Sequence, residues 1–221
     1  ICHCLVGSEM CIRDSFDIAC NFTSERFDGD LEEIINRAIK NNVTKFGLIC
    51  SRVKDFPRLI NIYNNFSDSM RFTIGVHPHH ANEFNNEYLL QLQNLIKDNP
   101  PHAIGETGLD FFRNLSSYDE QIYAFEEQIK LAITYNKPLF LHQRDSHEDF
   151  IRILRNYSSD INKSVVHCFT GTQSQLEDYL ELGCFIGITG WICDEKRNIE
   201  LRKTIKNIPL TKLMIETDCP Y

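Results

Sequence analysis

Residues 137–167 read KPLFLHQRDSHEDFIRILRNYSSDINKSVVH, and this stretch decides the fold. Two short apolar runs, Pro138–Leu141 and Ser164–His167, are typical of buried strands, and a longer segment with helical spacing separates them. Strands joined through a helix in this way lie parallel to each other. The stretch therefore predicts a parallel sheet with helices packed on its faces.

The same alternation continues on both sides of this stretch. Six further apolar, β-branched or aromatic runs predict strands: Phe16–Cys20, Lys45–Cys50, Phe72–Val76, Ala103–Glu106, Cys184–Ile188 and Leu213–Glu216. Helical spacing between them gives apolar faces, and the clearest comprise Leu31, Ile34, Ile35 and Ala38, and Phe125, Ile129, Ala132 and Ile133. Ser117, three residues before Glu120, is a plausible helix cap.

Eight strand–helix units are the number that closes a parallel barrel. We therefore predict an α/β fold of the (β/α)8 TIM barrel class. A doubly wound open sheet is the rival fold, but no Gly-rich GxGxxG turn follows the first predicted strand.

Both ends of the chain depart from this pattern. Residues 5–15, LVGSEMCIRDS, resemble a translated sequencing-library adapter, so we interpret residues 1–15 as a non-native leader. The last predicted strand is followed by TDCPY, where a barrel needs a helix. We expect residues 16–221 to be a barrel that is truncated at its C-terminus and lacks its last helix.

Composition limits the classes of partner. The 221 residues suffice for one large domain, and their net charge of −8 argues against a broad basic face that coats nucleic acid. It does not exclude a nuclease, because bound cations can supply positive charge. No apolar run is long enough to span a bilayer, and nothing indicates an obligate protein partner. Nine cysteines without a CxxC pair are interpreted as free thiols in a reducing compartment, which predicts a cytoplasmic protein.

Reactive side chains fall at one end of five predicted strands: His77, Glu106, His142, His167 and Asp218. Barrel enzymes place their chemistry at the C-terminal ends of the strands. A single histidine there is commonly a hydrogen-bonded structural residue, and a single carboxylate commonly caps a helix. Five such residues on one rim argue instead for a shared site.

The residue types suit a divalent cation. Imidazole and carboxylate together bind Zn²⁺, Mn²⁺ or Mg²⁺, and a bound cation lowers the pKa of water and polarises a phosphoryl oxygen. A neighbouring carboxylate could accept the proton of that water. Arg144 could face the mouth and contact substrate, or form a surface ion pair with Asp145. His79 and His80 could touch a phosphate or lie in solvent.

Together the motifs resemble those of the TatD-type metal-dependent deoxyribonucleases, from about Phe16 to Tyr221. The matching runs are DIACNFTS (17–24), GVHPHH (75–80), IGETGLDFFRN (104–114), KPLFLHQRDSHEDF (137–150), VVHCFTGT (165–172), IGITGWICDEKR (186–197) and MIETDCPY (214–221). The resemblance implies a metal-dependent hydrolase barrel that cleaves phosphodiester bonds of DNA or RNA, as a 3′→5′ exonuclease on single-stranded ends.

Carried over by motif, the resemblance implies four metal ligands: Glu106, His142, His167 and Asp218. Glu106 and Asp218 are the candidate catalytic carboxylates, with Asp218 also a proton acceptor. The resemblance further implies that His77 contacts phosphate or a second metal ion.

One stretch departs from the family pattern. Many relatives have an HxH pair at the end of the first strand, where this chain has Ala19-Cys20-Asn21. With fewer imidazoles we expect one or two ions of Mg²⁺ or Mn²⁺ rather than Zn²⁺.

Two other functions are compatible with the same residues. A related barrel hydrolase could act on an amide, ester or lactone of a small molecule, because a metal-activated water does not specify its electrophile. A non-catalytic binding protein could keep the fold, although the intact set of candidate ligands argues against it.

Overall fold

The computed structural model describes residues 14–161, 163–195 and 199–221. Its centre is a sheet of eight parallel strands, each hydrogen-bonded to the next in chain order. The strands are β1 (Ser15–Cys20), β2 (Val43–Leu48), β3 (Met70–Ile74), β4 (Ala103–Asp110), β5 (Leu139–Arg144), β6 (Ser164–Val166), β7 (Phe185–Ile188) and β8 (Leu213–Ile215). The predicted (β/α)8 barrel is confirmed.

The first and last strands meet just beyond β8. Cys20 and Cys219 form a parallel bridge, and the Asn21 N–H donates to the Cys219 carbonyl at 2.9 Å. This junction brings the chain after β8 beside the C-terminal end of β1.

Helices cover the outside of the strands: α1 (Leu31–Lys40), α2 (Phe56–Asn65), α3 (Asn86–Asp98), α4 (Tyr118–Thr134), α5 (His147–Asn156), α6 (Gln173–Glu181) and α7 (Ile199–Thr204). The predicted cap of α4 is confirmed, because the Ser117 hydroxyl accepts the Glu120 N–H and the Glu120 carboxylate accepts the Ser117 N–H. In α4, Phe125, Ile129 and Ala132 are buried against the barrel, as their spacing predicts.

Two strands extend further than predicted. We predicted that Glu106 and His142 end their strands, but β4 continues to Asp110 and β5 to Arg144. The backbone ladder continues from Thr107–Leu141 to Asp110–Arg144. Because this ladder needs only backbone hydrogen bonds, it persists where the side chains turn polar. The apolar pattern therefore predicted both strands to be shorter than they are.

A bulge in β4 places Glu106. The register with β5 shifts between Ile104 and Thr107, and the glycines on either side of Glu106, Gly105 and Gly108, have φ of +145°. A Cβ at Gly105 would overlap the carbonyl oxygen of Phe140. Only glycine permits this φ together with so close an approach of the two backbones. The bulge therefore presents the Glu106 side chain beside β5.

Most of the proposed leader, residues 1–13, lies outside the described residues, whereas Ser15 is the first residue of β1.

The predicted free thiols are confirmed for the cysteines that the structure describes. These cysteines are unpaired, and Cys20, Cys50 and Cys184 are buried. Within the described part of the chain, every helix is too short or too polar to cross a membrane.

Candidate metal centre

Glu106 lies at the centre of a cluster of three histidines. Its Oε1 is 2.7 Å from Nε2 of His167, 3.1 Å from Nδ1 of His142 and 3.3 Å from Nε2 of His77. The possible ligand atoms of His77, Glu106 and His142 all lie within 4.8 Å of one another. The barrel thus brings together side chains from within β4 and β5 and from just after β3 and β6.

A carboxylate lies on the far side of His142. The Nε2 atom of this ring is 3.2 Å from Oδ2 of Asp110, which also contacts Nε2 of His79 at 2.7 Å. Asp110 is held in turn by the Arg113 N–H. A carboxylate behind an imidazole keeps a proton on the nitrogen that faces it and leaves the other nitrogen as the ligand. His142 therefore presents Nδ1 to the centre of the cluster.

His167 has the same arrangement with the ring turned round. Its Nδ1 atom faces Oε2 of Glu216 at 3.6 Å, and neither atom has a hydrogen-bond partner among the described residues. The other oxygen of Glu216 accepts the N–H of Cys168. This orientation favours a proton on Nδ1 and presents Nε2 to the cluster.

His77 differs from the other two histidines. Its Nδ1 atom accepts the backbone N–H of His79 at 3.1 Å, so this nitrogen carries a lone pair. Burial lowers the pKa of His77 to about 4, which makes the ring neutral at pH 7. The single proton of a neutral ring must then be on Nε2. His77 therefore offers a hydrogen-bond donor to the cluster, although its position alone would allow it to bind a cation.

The charges of the cluster suit a divalent cation. Burial by itself lowers the pKa of His142, but hydrogen bonds to Asp110 and Glu106 outweigh it and raise the pKa. Burial of His167 is likewise outweighed by Glu106 and Glu216, which hold its pKa well above the ordinary value. The carboxylates around both rings therefore favour positive charge in the cluster. A divalent cation supplies positive charge and can exchange for protons on these nitrogens.

Asp218 lies just after β8 and is oriented by Asn21. The Asn21 side-chain N–H donates to Oδ1 of Asp218 at 3.0 Å and to the Cys219 carbonyl at 3.1 Å. Burial raises the pKa of Asp218 to about 6, with the nearby negative charges of Glu106 and Glu216 adding to the effect. Asn21, the residue after β1, therefore holds this carboxylate in place.

Arg144 lies outside the cluster. Its guanidinium carbon is 3.9 Å from the centre of the Phe112 ring, and both side chains line a neighbouring cavity. From the sequence we expected Arg144 either to contact phosphate or to pair with Asp145. Its contact with the Phe112 ring was not predicted.

Sequence reasoning missed the two carboxylates behind the histidines. Asp110 and Glu216 both stand inside quoted motifs, as the last residue of GETGLD and the first carboxylate of ETD. A second carboxylate in a motif that already supplies a candidate ligand was the available signal. Which histidine it faces depends on the barrel register, which the motifs do not contain.

The sequence matches those of known proteins over almost all of the described chain. The family pattern described as TatD related DNase matches residues 16–221. The "3'-5' ssDNA/RNA exonuclease TatD" of Pantoea ananatis is 41% identical over 206 residues, covering 93% of this chain and 79% of that protein.

Solved structures are similar over nearly the whole chain. The crystal structure of YJJV, a TatD homolog from Escherichia coli K12, matches with a TM-score of 0.87 and 31% identity, covering 95% of this chain and 80% of that one. A TatD family hydrolase from Entamoeba histolytica matches with a TM-score of 0.85 and 32% identity, covering 95% and 75%.

Proposed function

Because the chain belongs to the TatD related DNase family, we propose that it is a divalent-metal-dependent nuclease that removes nucleotides from the 3′ ends of single-stranded DNA or RNA. Its relative from Pantoea ananatis carries that activity in its name. The net charge of −8 agrees with a narrow mouth that admits one strand end, since coating a duplex requires a wide basic surface.

One observation carries this proposal. Two histidines, each with a carboxylate behind it, direct a nitrogen at the same oxygen of Glu106. Paired histidine–carboxylate arrangements of this kind are the usual support of metal-ligating imidazoles. A structural hydrogen-bond network needs no such convergence on one buried carboxylate.

Glu106, His142 through Nδ1, His167 through Nε2 and Asp218 would hold the cation. Carboxylate oxygens beside only two imidazoles favour Mg²⁺ or Mn²⁺ over Zn²⁺, as one or two ions. When bound, the cation supplies Lewis acidity toward a phosphoryl oxygen and lowers the pKa of water.

The protein side chains position the reactants. Asp218, oriented by Asn21, accepts a proton from the attacking water. The Nδ1 atom of His77 accepts the His79 N–H, so its Nε2–H is the group that donates to a phosphate oxygen. Burial of Glu106, His77 and His167 excludes bulk water from one side of the phosphate.

The direct test of this proposal is degradation of a 5′-labelled single-stranded oligonucleotide, in DNA and RNA forms, with Mg²⁺ or Mn²⁺. We expect a ladder that shortens from the 3′ end, stops on addition of EDTA, and is lost in the Glu106→Gln variant. Glu127→Gln, on the outside of α4, is the matched control and should leave the ladder unchanged. A folded protein that degrades no oligonucleotide with either ion, yet hydrolyses lactones or esters, would support the small-molecule alternative.

A further inference from the structure

A cavity of about 730 Å³ opens at the same rim as the metal centre. It lies between the loop after β4, the end of β5 and the start of α6, and its volume is in the range of sites that hold a small organic molecule. None of the candidate metal ligands lines it. The proposed hydrolysis of a phosphodiester therefore leaves this cavity unexplained.

The cavity is close to the cluster along β5. Arg144, which lines the cavity, is two residues beyond His142 on the same strand. Side chains two residues apart lie on the same face of a strand, about 6.6 Å from each other along its axis. The cavity is therefore within reach of a nucleotide adjacent to a scissile phosphate that lies at the cluster.

One wall of the cavity is a stacking surface. Phe112 is 58% exposed, so its ring is accessible, and the Arg144 guanidinium lies 3.9 Å from its ring centre. The loop is fixed because the Phe111 N–H donates to the Arg144 carbonyl at 3.0 Å. Exposed aromatic rings, with an arginine beside them, bind unpaired bases by stacking.

The cavity wall also carries acidic groups. Its carboxylates come from Asp145, Glu148, Asp149 and Glu200. Arg152 offsets the charge of Asp149 through an ion pair of 2.6 Å, but the wall as a whole repels phosphate. An uncharged base meets no such repulsion, and its amino groups can donate to carboxylates. The charges therefore favour the base over the phosphate as the group that enters the cavity.

We propose that this cavity is a nucleobase subsite, in which the base of a nucleotide adjacent to the scissile phosphodiester stacks on Phe112 and Arg144. This assignment rests on the proposed nuclease function. It adds that the affinity of the enzyme for a strand end depends on one base next to the cleaved bond.

The test measures binding in Ca²⁺, without turnover, of labelled single-stranded oligonucleotides by fluorescence anisotropy. One abasic residue replaces each of the last three nucleotides in turn. For the wild type we expect one position at which loss of the base weakens binding by about 5- to 100-fold. In Phe112→Ala that penalty should disappear, because the stacking partner of the base is already gone. Phe112→Tyr should restore it.

Leu115→Ala is the matched control, since Leu115 lies in the same loop, is 60% exposed and does not line the cavity. This variant should keep the wild-type penalty. Equal abasic penalties in the wild type and Phe112→Ala, or no binding of the intact oligonucleotide by the wild type, would overturn the subsite.

Hydrolysis of bis(p-nitrophenyl) phosphate with Mn²⁺ separates this result from failure of the proposed function. The wild type should hydrolyse this small phosphodiester and Glu106→Gln should not. No hydrolysis by the wild type would overturn the proposed function together with the subsite that rests on it, whereas hydrolysis together with equal abasic penalties in the wild type and Phe112→Ala would overturn the subsite alone.

Discussion

At the scale of single residues, the group behind each histidine decides what that histidine can bind. Asp110 and Glu216 face the outer nitrogens of His142 and His167, whereas a backbone N–H faces the outer nitrogen of His77. We therefore propose the first two rings as ligands and the third as a donor. The motifs contain all three histidines but do not distinguish them, because the distinction depends on contacts across the barrel.

Asp110→Asn tests the role of the carboxylate behind His142. The amide removes the negative charge that favours a lone pair on Nδ1, so we expect the Mn²⁺ dissociation constant to rise by about 10- to 100-fold. Isothermal titration calorimetry measures it. Asp178→Asn is the control, because Asp178 makes a similar 2.9 Å contact with His147, outside the candidate cluster. Unchanged Mn²⁺ affinity in Asp110→Asn would refute this role.

His77→Gln tests the assignment of His77 as a donor. The amide N–H of glutamine can still donate, so we expect both Mn²⁺ affinity and oligonucleotide cleavage within about threefold of the wild type. The His77→Leu variant has no donor and should keep the Mn²⁺ affinity, but its cleavage should fall by about 10-fold or more, because one hydrogen bond to a charged group contributes about 1.5–3 kcal/mol. A fall in Mn²⁺ affinity as large as that of His142→Gln would instead make His77 a ligand.

At the scale of elements, β4 carries the features that the sequence predicts least well. The alternation of apolar runs with helices correctly gave eight strands, because buried parallel strands are almost continuously apolar. It did not reveal the bulge at Glu106 or the polar continuation to Asp110. Similarly, β2 and β3 begin two residues before their predicted starts, at Val43 and Met70. A strand end depends on its neighbour's register, which local hydrophobicity does not record.

Gly108→Ala tests the bulge. Gly108 has φ of +145°, and a Cβ there would overlap the carbonyl oxygen of His142. We expect a loss of about 2 kcal/mol or more in the free energy of unfolding, together with weaker Mn²⁺ binding. Gly29→Ala is the control, because Gly29 has φ of +94° but no atom within 4 Å of an added Cβ. Thermal unfolding measures the loss of stability in each variant. Equal losses in Gly108→Ala and Gly29→Ala would argue against a specific role for the close approach of Gly108 to the His142 carbonyl.

At the scale of the whole molecule, the metal centre ties together strands that are distant in sequence. Its candidate ligands come from β4, β5, the end of β6 and the segment after β8, and Asn21 at the end of β1 holds Asp218. The alternation of strands and helices predicted the barrel, and the positions of the reactive side chains after the strands predicted the rim on which they meet. They did not predict the neighbouring cavity, because Phe112 and Arg144 contact each other only through the pairing of β4 with β5.

A bound cation should therefore stabilise the entire barrel. At a Mn²⁺ concentration about 100 times its dissociation constant, binding to the folded state adds about 2.7 kcal/mol to the free energy of unfolding. For a chain of this length that corresponds to a rise in Tm of about 5–10 °C. EDTA should reverse the rise and Glu106→Gln should abolish it, as measured by differential scanning calorimetry. An equal rise in Glu106→Gln would place the stabilising ion elsewhere.

Anomalous X-ray scattering from crystals grown with Mn²⁺ shows whether Glu106 and its two carboxylate-backed histidines form a divalent metal site. We expect an anomalous peak at about 2.0–2.5 Å from Glu106, from Nδ1 of His142 or from Nε2 of His167. A strongest peak at exposed carboxylates, with the contacts between Glu106 and the histidines unchanged, would show that this cluster is not the metal site.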